Sequence, residues 1–303
     1  MITSFSEIFE HLKSATKKRL VAAYANDAHT IGAVSMAIDA GIVNATLVGD
    51  AKTIKAVCEK EEIDFNKFNV IQEADENRAA LTAVEFVSKG EGDLLMKGLC
   101  STDKYMRAIL NKEVGLLPPK GVLSHITLMK STTYHKMLLF SDIAVIPAPD
   151  LKQKVAICGY LIKAAQSLGI EKPKVAIIAA TEQMSPGMQA CVDAAIISKM
   201  ADRGQIQNAY VDGPLAVDVA IDQEAKDIKK VSGTVAADAD CLLFPNIEAG
   251  NVFYKTIGKF TNSQLAAIVV GAKAPCVLSS RGDTTETKLN SIALAALAAL
   301  NQK

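Results

Sequence analysis

The stretch Val277-Leu-Ser-Ser-Arg-Gly-Asp-Thr-Thr-Glu-Thr-Lys288 gathers groups able to hold an anion and to move a proton. It joins a strand-like apolar run to an alanine-rich helical pattern. A turn that leaves the carboxyl end of a strand and opens a helix directs backbone N–H groups outward, and that geometry attracts phosphate. Ser280 offers a hydroxyl, and Arg281 a planar fork that matches phosphate oxygens. Gly282 lets the backbone approach a ligand closely. Arginine is scarce, five residues against 28 lysines, so one set among small residues in a turn stands out. Two readings of Asp283 and Glu286 stay open: a capping box, with Asp283 as cap, or an acid–base pair beside the anion site.

Three further junctions repeat the strand–turn–helix logic. In Leu94-Leu-Met-Lys-Gly-Leu-Cys-Ser-Thr102, Lys97 and Gly98 stand where a buried strand ends. Ser101 or Thr102 there caps the next helix or holds a phosphate, with capping favoured by frequency. Phe244-Pro-Asn-Ile-Glu-Ala-Gly-Asn-Val-Phe-Tyr-Lys255 places Asn246, Gly250 and Asn251 in a turn suited to a ligand, although on spacing alone an ordinary loop and cap is the better reading. Thr181-Glu-Gln-Met-Ser-Pro-Gly187 is the fourth. Open α/β sheets bind ligands outside the carboxyl ends of their strands, where these four loops would fall.

Other chemistries find no support. GxGxxG, Walker and GxSxG patterns do not occur. The four histidines lack metal-ligand spacing, and His125 and His135 read as structural, so no metal is expected. Six scattered cysteines without a Cys-x-x-Cys pair read as reduced, buried thiols. Zero net charge, 33 basic against 33 acidic residues, speaks against nucleic acid as a partner. The N-terminal run lacks the pattern of a signal peptide, and the apolar run 292–300 is too short to cross a bilayer, so a cytoplasmic protein without membrane partners is expected.

The elements that must position these loops follow an α/β pattern. Strands are expected at 20–24, 45–48, 69–71, 94–96, 122–129, 138–145, 175–179, 242–244, 266–270 and 276–279. Helices are expected at 30–40, 77–88, 151–168, 187–202 and 284–300. The close spacing of 122–129 and 138–145 predicts an antiparallel pair. Ile146-Pro-Ala-Pro-Asp150 is the natural boundary, with Asp150 capping the helix that follows. The segment 204–213 is the least legible.

The order of these segments resembles the phosphate acetyl/butyryltransferase family, and most of all its phosphate butyryltransferase branch. The likeness runs from about Lys18 to the end and rests on Leu95-Met-Lys-Gly-Leu99, Leu123-Ser-His-Ile126 and Pro147-Ala-Pro-Asp-Leu-Lys-Gln-Lys-Val155. Pro173-Lys-Val-Ala176, Thr181-Glu182, Met188, Asp212-Gly-Pro-Leu215, Phe244-Pro-Asn-Ile-Glu-Ala-Gly-Asn251 and Ser280-Arg-Gly-Asp283 complete it. The resemblance implies a two-lobed α/β fold like the isocitrate and isopropylmalate dehydrogenases, with an interlobe active-site cleft. It places the first lobe at 1–149 and 276–303 and the second at 150–275. It implies exchange of coenzyme A for inorganic phosphate on a short acyl group, with acyl-CoA, phosphate and acyl phosphate as partners. Coenzyme A is then substrate or product, no cofactor is permanently bound, and the chain forms a homo-oligomer, a dimer or higher. Ser280 and Arg281 would hold phosphate, Asp283 or Glu286 would act on the thiol, and Lys97, Gly98, Thr102, Asn251, Lys259 and Gly282 would bind substrate. Lys259 stands where the acetyltransferase branch has arginine, and for the place of that branch's acidic base the spacing leaves Asp283, Glu286 and Thr287 open. Rival readings are a shorter-chain acetyltransferase, a non-catalytic acyl-CoA or phosphate sensor, and a nicotinamide-dependent dehydrogenase of similar fold.

Overall fold

The structure is a computed structural model that describes residues 1–279 and 282–301. The chain divides into two compact units, one of Phe5–Leu123 with the chain from Leu265 onward, the other of Met1–Ser4 with Ser124–Gln264. The boundaries proposed from sequence stood at 149/150 and 275/276. The units divide earlier because the antiparallel pair after Leu123 is paired with a strand of the second unit.

The first unit contains α1 (Phe5–Lys13), β1 (Lys18–Ala23), α2 (Ala28–Asp39), β2 (Val43–Gly49), α3 (Ala51–Lys60), β3 (Asn69–Gln72), α4 (Glu76–Ser88), β4 (Leu94–Lys97) and α5 (Thr102–Ile109). After the second unit's β5 (Ser124–Lys130), β6 (Leu138–Ser141), α6 (Leu151–Ser167), β7 (Lys174–Ile178), α7 (Gln189–Asp202), β8 (Tyr210–Leu215), α8 (Val217–Ile221), α9 (Gln223–Lys229), β9 (Cys241–Leu243) and α10 (Ile247–Phe260), the chain returns with β10 (Gln264–Val270), β11 (Cys276–Val277) and α11 (Thr285–Leu300). Strand order in the first unit is β3-β2-β1-β4-β11-β10, parallel except for β10 against β11. In the second it is β5-β6-β9-β7-β8, parallel except for β5 against β6. The expected antiparallel pair is therefore present.

Helices explain why the central strands read as continuous apolar runs. α4 lies on β1 and β2, while α11 lies on β11, β4 and β1 with α1 and α2 against it. Every residue of β4 is buried, as parallel strands covered on both faces require. Side-chain caps start most helices: Asp27 for α2, Asp50 for α3, Asp75 for α4, Ser101 for α5 and Asn246 for α10. Asp150 forms the full capping box of α6 with Gln153, as its position predicts. Gly41, at φ +77°, follows α2 in the left-handed conformation expected after a helix end.

One sequence expectation needs correcting, and one open reading is decided. The run 138–145 is not one strand. β6 stops at Ser141 because the Asp142 carboxylate accepts hydrogen bonds from the backbone N–H groups of Ala144, Val145 and Ile146 at 2.8, 3.0 and 3.1 Å, which folds that apolar run into a turn. Nor is Asp283 the cap of the last helix. Thr284 takes that place, its hydroxyl accepting from the Thr287 N–H at 3.1 Å. No helix among the described residues is long and apolar enough to cross a membrane.

Candidate active site

Within the first unit, β1, β4 and β11 end side by side. Ala23 pairs with Lys97, and Met96 pairs with Val277. The parallel ladder then runs past the strand ends, since the Gly98 N–H donates to Ala23 O at 2.9 Å and the Leu99 N–H to Tyr24 O at 2.9 Å. This brings two backbones so close that a Cβ on Gly98 would lie 2.5 Å from Tyr24 O and 2.7 Å from Ala23 O. The requirement for glycine at 98 thus arises from the neighbouring strand.

Lys97 is 4 % exposed, and its ammonium donates to Gly98 O at 3.1 Å and Cys100 O at 2.9 Å. An ammonium taken out of water needs such partners, and here they fix the shape of the turn after β4. That turn leads into α5, whose cap is Ser101; the hydroxyl accepts from the Lys104 N–H at 3.3 Å. Thr102 is the exposed first residue of the helix. A carboxylate already sits at this helix start. Glu76 Oε1 accepts from the Ser101 N–H at 2.7 Å, and Oε2 meets Lys104 Nζ at 2.5 Å. The positive end of α5 is satisfied by Glu76 before any ligand arrives.

Beyond β11, Ser279 is buried, and Ser280 and Arg281 lie outside the described residues. Gly282 is exposed, and a Cβ there would meet nothing within 4 Å, so the fold itself makes no steric demand for glycine at that place. Asp283 is half-buried, and Glu286 is exposed in the first turn of α11. Lys288, one turn into the same helix, is buried, and its ammonium donates to Ser279 Oγ at 3.2 Å. Burial pushes the pKa of Lys288 below the ordinary lysine value, while the charges of Asp283 and Asp27 oppose that shift. Asp27 arrives from the start of α2, where its Oδ1 caps the helix through the Thr30 N–H at 2.9 Å. Lys288, Ser279, Asp27 and Glu76 carry no sequence signature; each acquires its place only when distant segments meet.

In the second unit the Asn251 amide donates to Ile143 O at 3.0 Å. It anchors the turn formed by Asp142, and Gly250 permits the same approach, since a Cβ there would lie 2.2 Å from Asp142 O. Lys259 is exposed in the last turn of α10. Eight residues of helix rise about 12 Å, so the fold does not bring Lys259 to Asn251.

All six thiols are buried. Burial pushes Cys100 up to about 11 and Cys276 up to about 12. Thiolates are the nucleophilic form, so neither is poised for covalent acyl transfer at neutral pH. The native protein should therefore react slowly with a thiol reagent at pH 8, and all six should react after denaturation. Cys100→Ala should keep activity within about threefold, a ratio worth about 0.7 kcal/mol of barrier. Loss of more than a hundredfold would restore the acyl-cysteine route.

Comparisons with known proteins place the chain in a family. The family model described as Phosphate acetyl/butaryl transferase matches residues 4–81 and 72–296. A phosphate butyryltransferase of Clostridium acetobutylicum is 46% identical over 302 residues, covering all of both chains. A phosphate acetyltransferase of Thermotoga maritima is 37% identical over 97% of this chain and 99% of its own. Among solved structures, a branched-chain phosphotransacylase from Enterococcus faecalis superposes with a TM-score of 0.81 at 29% identity, over 93% of this chain and 99% of that one. A 4-hydroxythreonine-4-phosphate dehydrogenase from Klebsiella pneumoniae superposes with a TM-score of 0.60 at 11% identity, over 94% of this chain and all of that one. The second structural likeness concerns the fold alone, and it agrees with the dehydrogenase-like α/β class expected from the sequence. With matching models spanning residues 4–296 and a butyryltransferase aligned end to end, this chain belongs to the phosphate acetyl/butyryl transferase family.

Proposed function

We infer that the chain is a phosphate acyltransferase that interconverts butyryl-CoA plus phosphate with butyryl phosphate plus CoA. The observation that supports the site assignment is a pair of buried lysines: Lys97 ends β4, and Lys288, in the first turns of α11, donates to Ser279 just past β11, the strand paired with β4. Buried ammonium groups past the carboxyl ends of strands favour a small dianion. In the CoA-forming direction a carboxylate takes the proton of the CoA thiol, a thiol like that of cysteine, whose ordinary pKa is about 8.5. Asp283 is the better candidate, because Thr284 relieves it of capping and Glu286 is exposed. The thiolate sulfur bonds to the acyl carbon, Arg281 and Ser280 hold the oxyanion, and the carbon–oxygen bond to phosphate then breaks. Phosphate leaves with that electron pair, held by the same anion site. Coenzyme A is substrate and product, with no permanently bound cofactor, and the chain works in the cytoplasm as a homo-oligomer of two or more copies.

A butyryl preference is favoured over acetyl by the higher identity to the butyryltransferase, 46% against 37%. The test is phosphate-dependent release of CoA thiol from acetyl-, propionyl-, butyryl- and isobutyryl-CoA, with Arg281→Ala beside the wild type. Turnover should be greatest with butyryl-CoA and fall at least about a hundredfold in the variant, roughly the effect of losing one oxyanion donor. No release from any of the four would replace the transferase with the sensor reading, and an acetyl optimum would move the chain to the shorter acyl preference.

A further inference from the structure

Lys288 is placed against the interests of stability. It is 5 % exposed, so its ammonium has left water. It also lies one turn from the start of α11, where the helix dipole disfavours a positive charge. Its ammonium donates to the hydroxyl of Ser279, the residue immediately before Ser280. The charges acting on it come from Asp283, just past Gly282, and from Asp27 at the cap of α2. Among the described residues, Asp27 Oδ2 is buried without a hydrogen-bond partner. A site arranged only for folding would fill this space with an apolar side chain of similar length.

We propose that Lys288 is a positioning residue for the phosphate of the transfer reaction, setting the flanks of the Ser-Arg-Gly run through Ser279 and Asp283 and offsetting the charge of the incoming dianion. The inference deepens the transferase reading and rests on it. Asp27 is the counterweight: with the site empty, its carboxylate balances the ammonium, and when phosphate binds, the same carboxylate opposes it. The two residues therefore have effects of opposite sign on phosphate affinity.

The test compares the full-length wild type with Lys288→Met, Lys288→Arg and Asp27→Asn at pH 6.5, well under the ordinary lysine pKa of about 10.4. The readouts are KM for phosphate, KM for butyryl-CoA, thermal midpoint, and equilibrium binding of inorganic phosphate by calorimetry. Lys288→Met should raise KM and Kd for phosphate by about tenfold or more, a ratio equal to about 1.4 kcal/mol. It should leave the butyryl-CoA KM within about twofold, and the midpoint should fall, because the Asp27 carboxylate loses the ammonium that balances it. Lys288→Arg should recover part of the loss. Asp27→Asn keeps a good cap and should tighten phosphate several-fold. Unchanged phosphate affinity in Lys288→Met overturns the proposal, as does a parallel rise of both KM values. Should Lys288→Met not fold, weaker phosphate binding in Asp27→Asn overturns it instead. Wild-type protein that binds phosphate without turning over refutes the transferase reading while the calorimetric comparison still decides the role of Lys288; wild-type protein that binds no phosphate refutes both.

Discussion

Gly98→Ala should destabilise the protein by about 3 kcal/mol or more, even though it adds only one methyl group. The new Cβ would meet Tyr24 O at 2.5 Å, Ala23 O at 2.7 Å and Tyr24 C at 2.9 Å, all backbone atoms. Side chains can swing aside from an overpacked position; these carbonyls cannot, because they accept the N–H groups of Gly98 and Leu99. Overpacking a well-filled core typically costs about 1–3 kcal/mol, and contact with hydrogen-bonded backbone puts this site at the upper end. Gly159→Ala is the matched control. It lies inside α6 with nothing within 4 Å of the added atom, so the better helix propensity of alanine should stabilise by about 0.5–1 kcal/mol. Chemical denaturation of both variants decides the matter; equal midpoints would contradict the close approach of β1 and β4.

The second large effect concerns Lys154 and Asp193, which form an ion pair at 2.6 Å with each side chain 5% exposed. Gln189 Nε2 donates to the other carboxylate oxygen at 2.8 Å. Asp193→Ala strands a buried ammonium and should cost about 3–5 kcal/mol. The double replacement Lys154→Met with Asp193→Leu removes both charges and should be far milder, neutral or even stabilising. A double-mutant cycle in denaturant measures the difference. If the single and double variants lose equal stability, the site acts through packing and not through charge.

Much of the architecture was legible because strand and helix patterns are local. β4 announces itself as three apolar residues and a lysine, and Asp150 with Gln153 is a complete capping signal within four residues. β8 was not legible: Gly213 and Pro214 interrupt it, and proline survives there because β8 lies at the edge of its sheet. The cap of α11 stays open in the sequence, since Asp283 and Thr284 both have cap chemistry and backbone geometry chooses between them.

The site divides the same way. Lys97 could be marked from sequence, since a lysine directly after a buried strand is hard to place on a surface. Lys288 could not, because Thr287-Lys-Leu-Asn290 reads as an ordinary polar helix start. It is buried because α11 has α1 and α2 against it as well as the strands beneath, which leaves little of its circumference to solvent. Asp27 and Lys288 stand 261 positions apart, the difference of their numbers, and no local pattern links them. The resemblance marks Gly98 and Asn251 as ligand groups; that they also hold one backbone segment against another has no local signal in the sequence.

The central claim is that phosphate itself accepts the acyl group. The most direct measurement is phosphorus NMR of the full-length protein turning over butyryl-CoA in phosphate buffer, with free thiol counted in the same sample. The account predicts one butyryl phosphate formed per CoA released, and no thiol release when phosphate is replaced by chloride. Thiol release that continues without phosphate, with butyrate as the product, would mean that water attacks the thioester and would contradict the account.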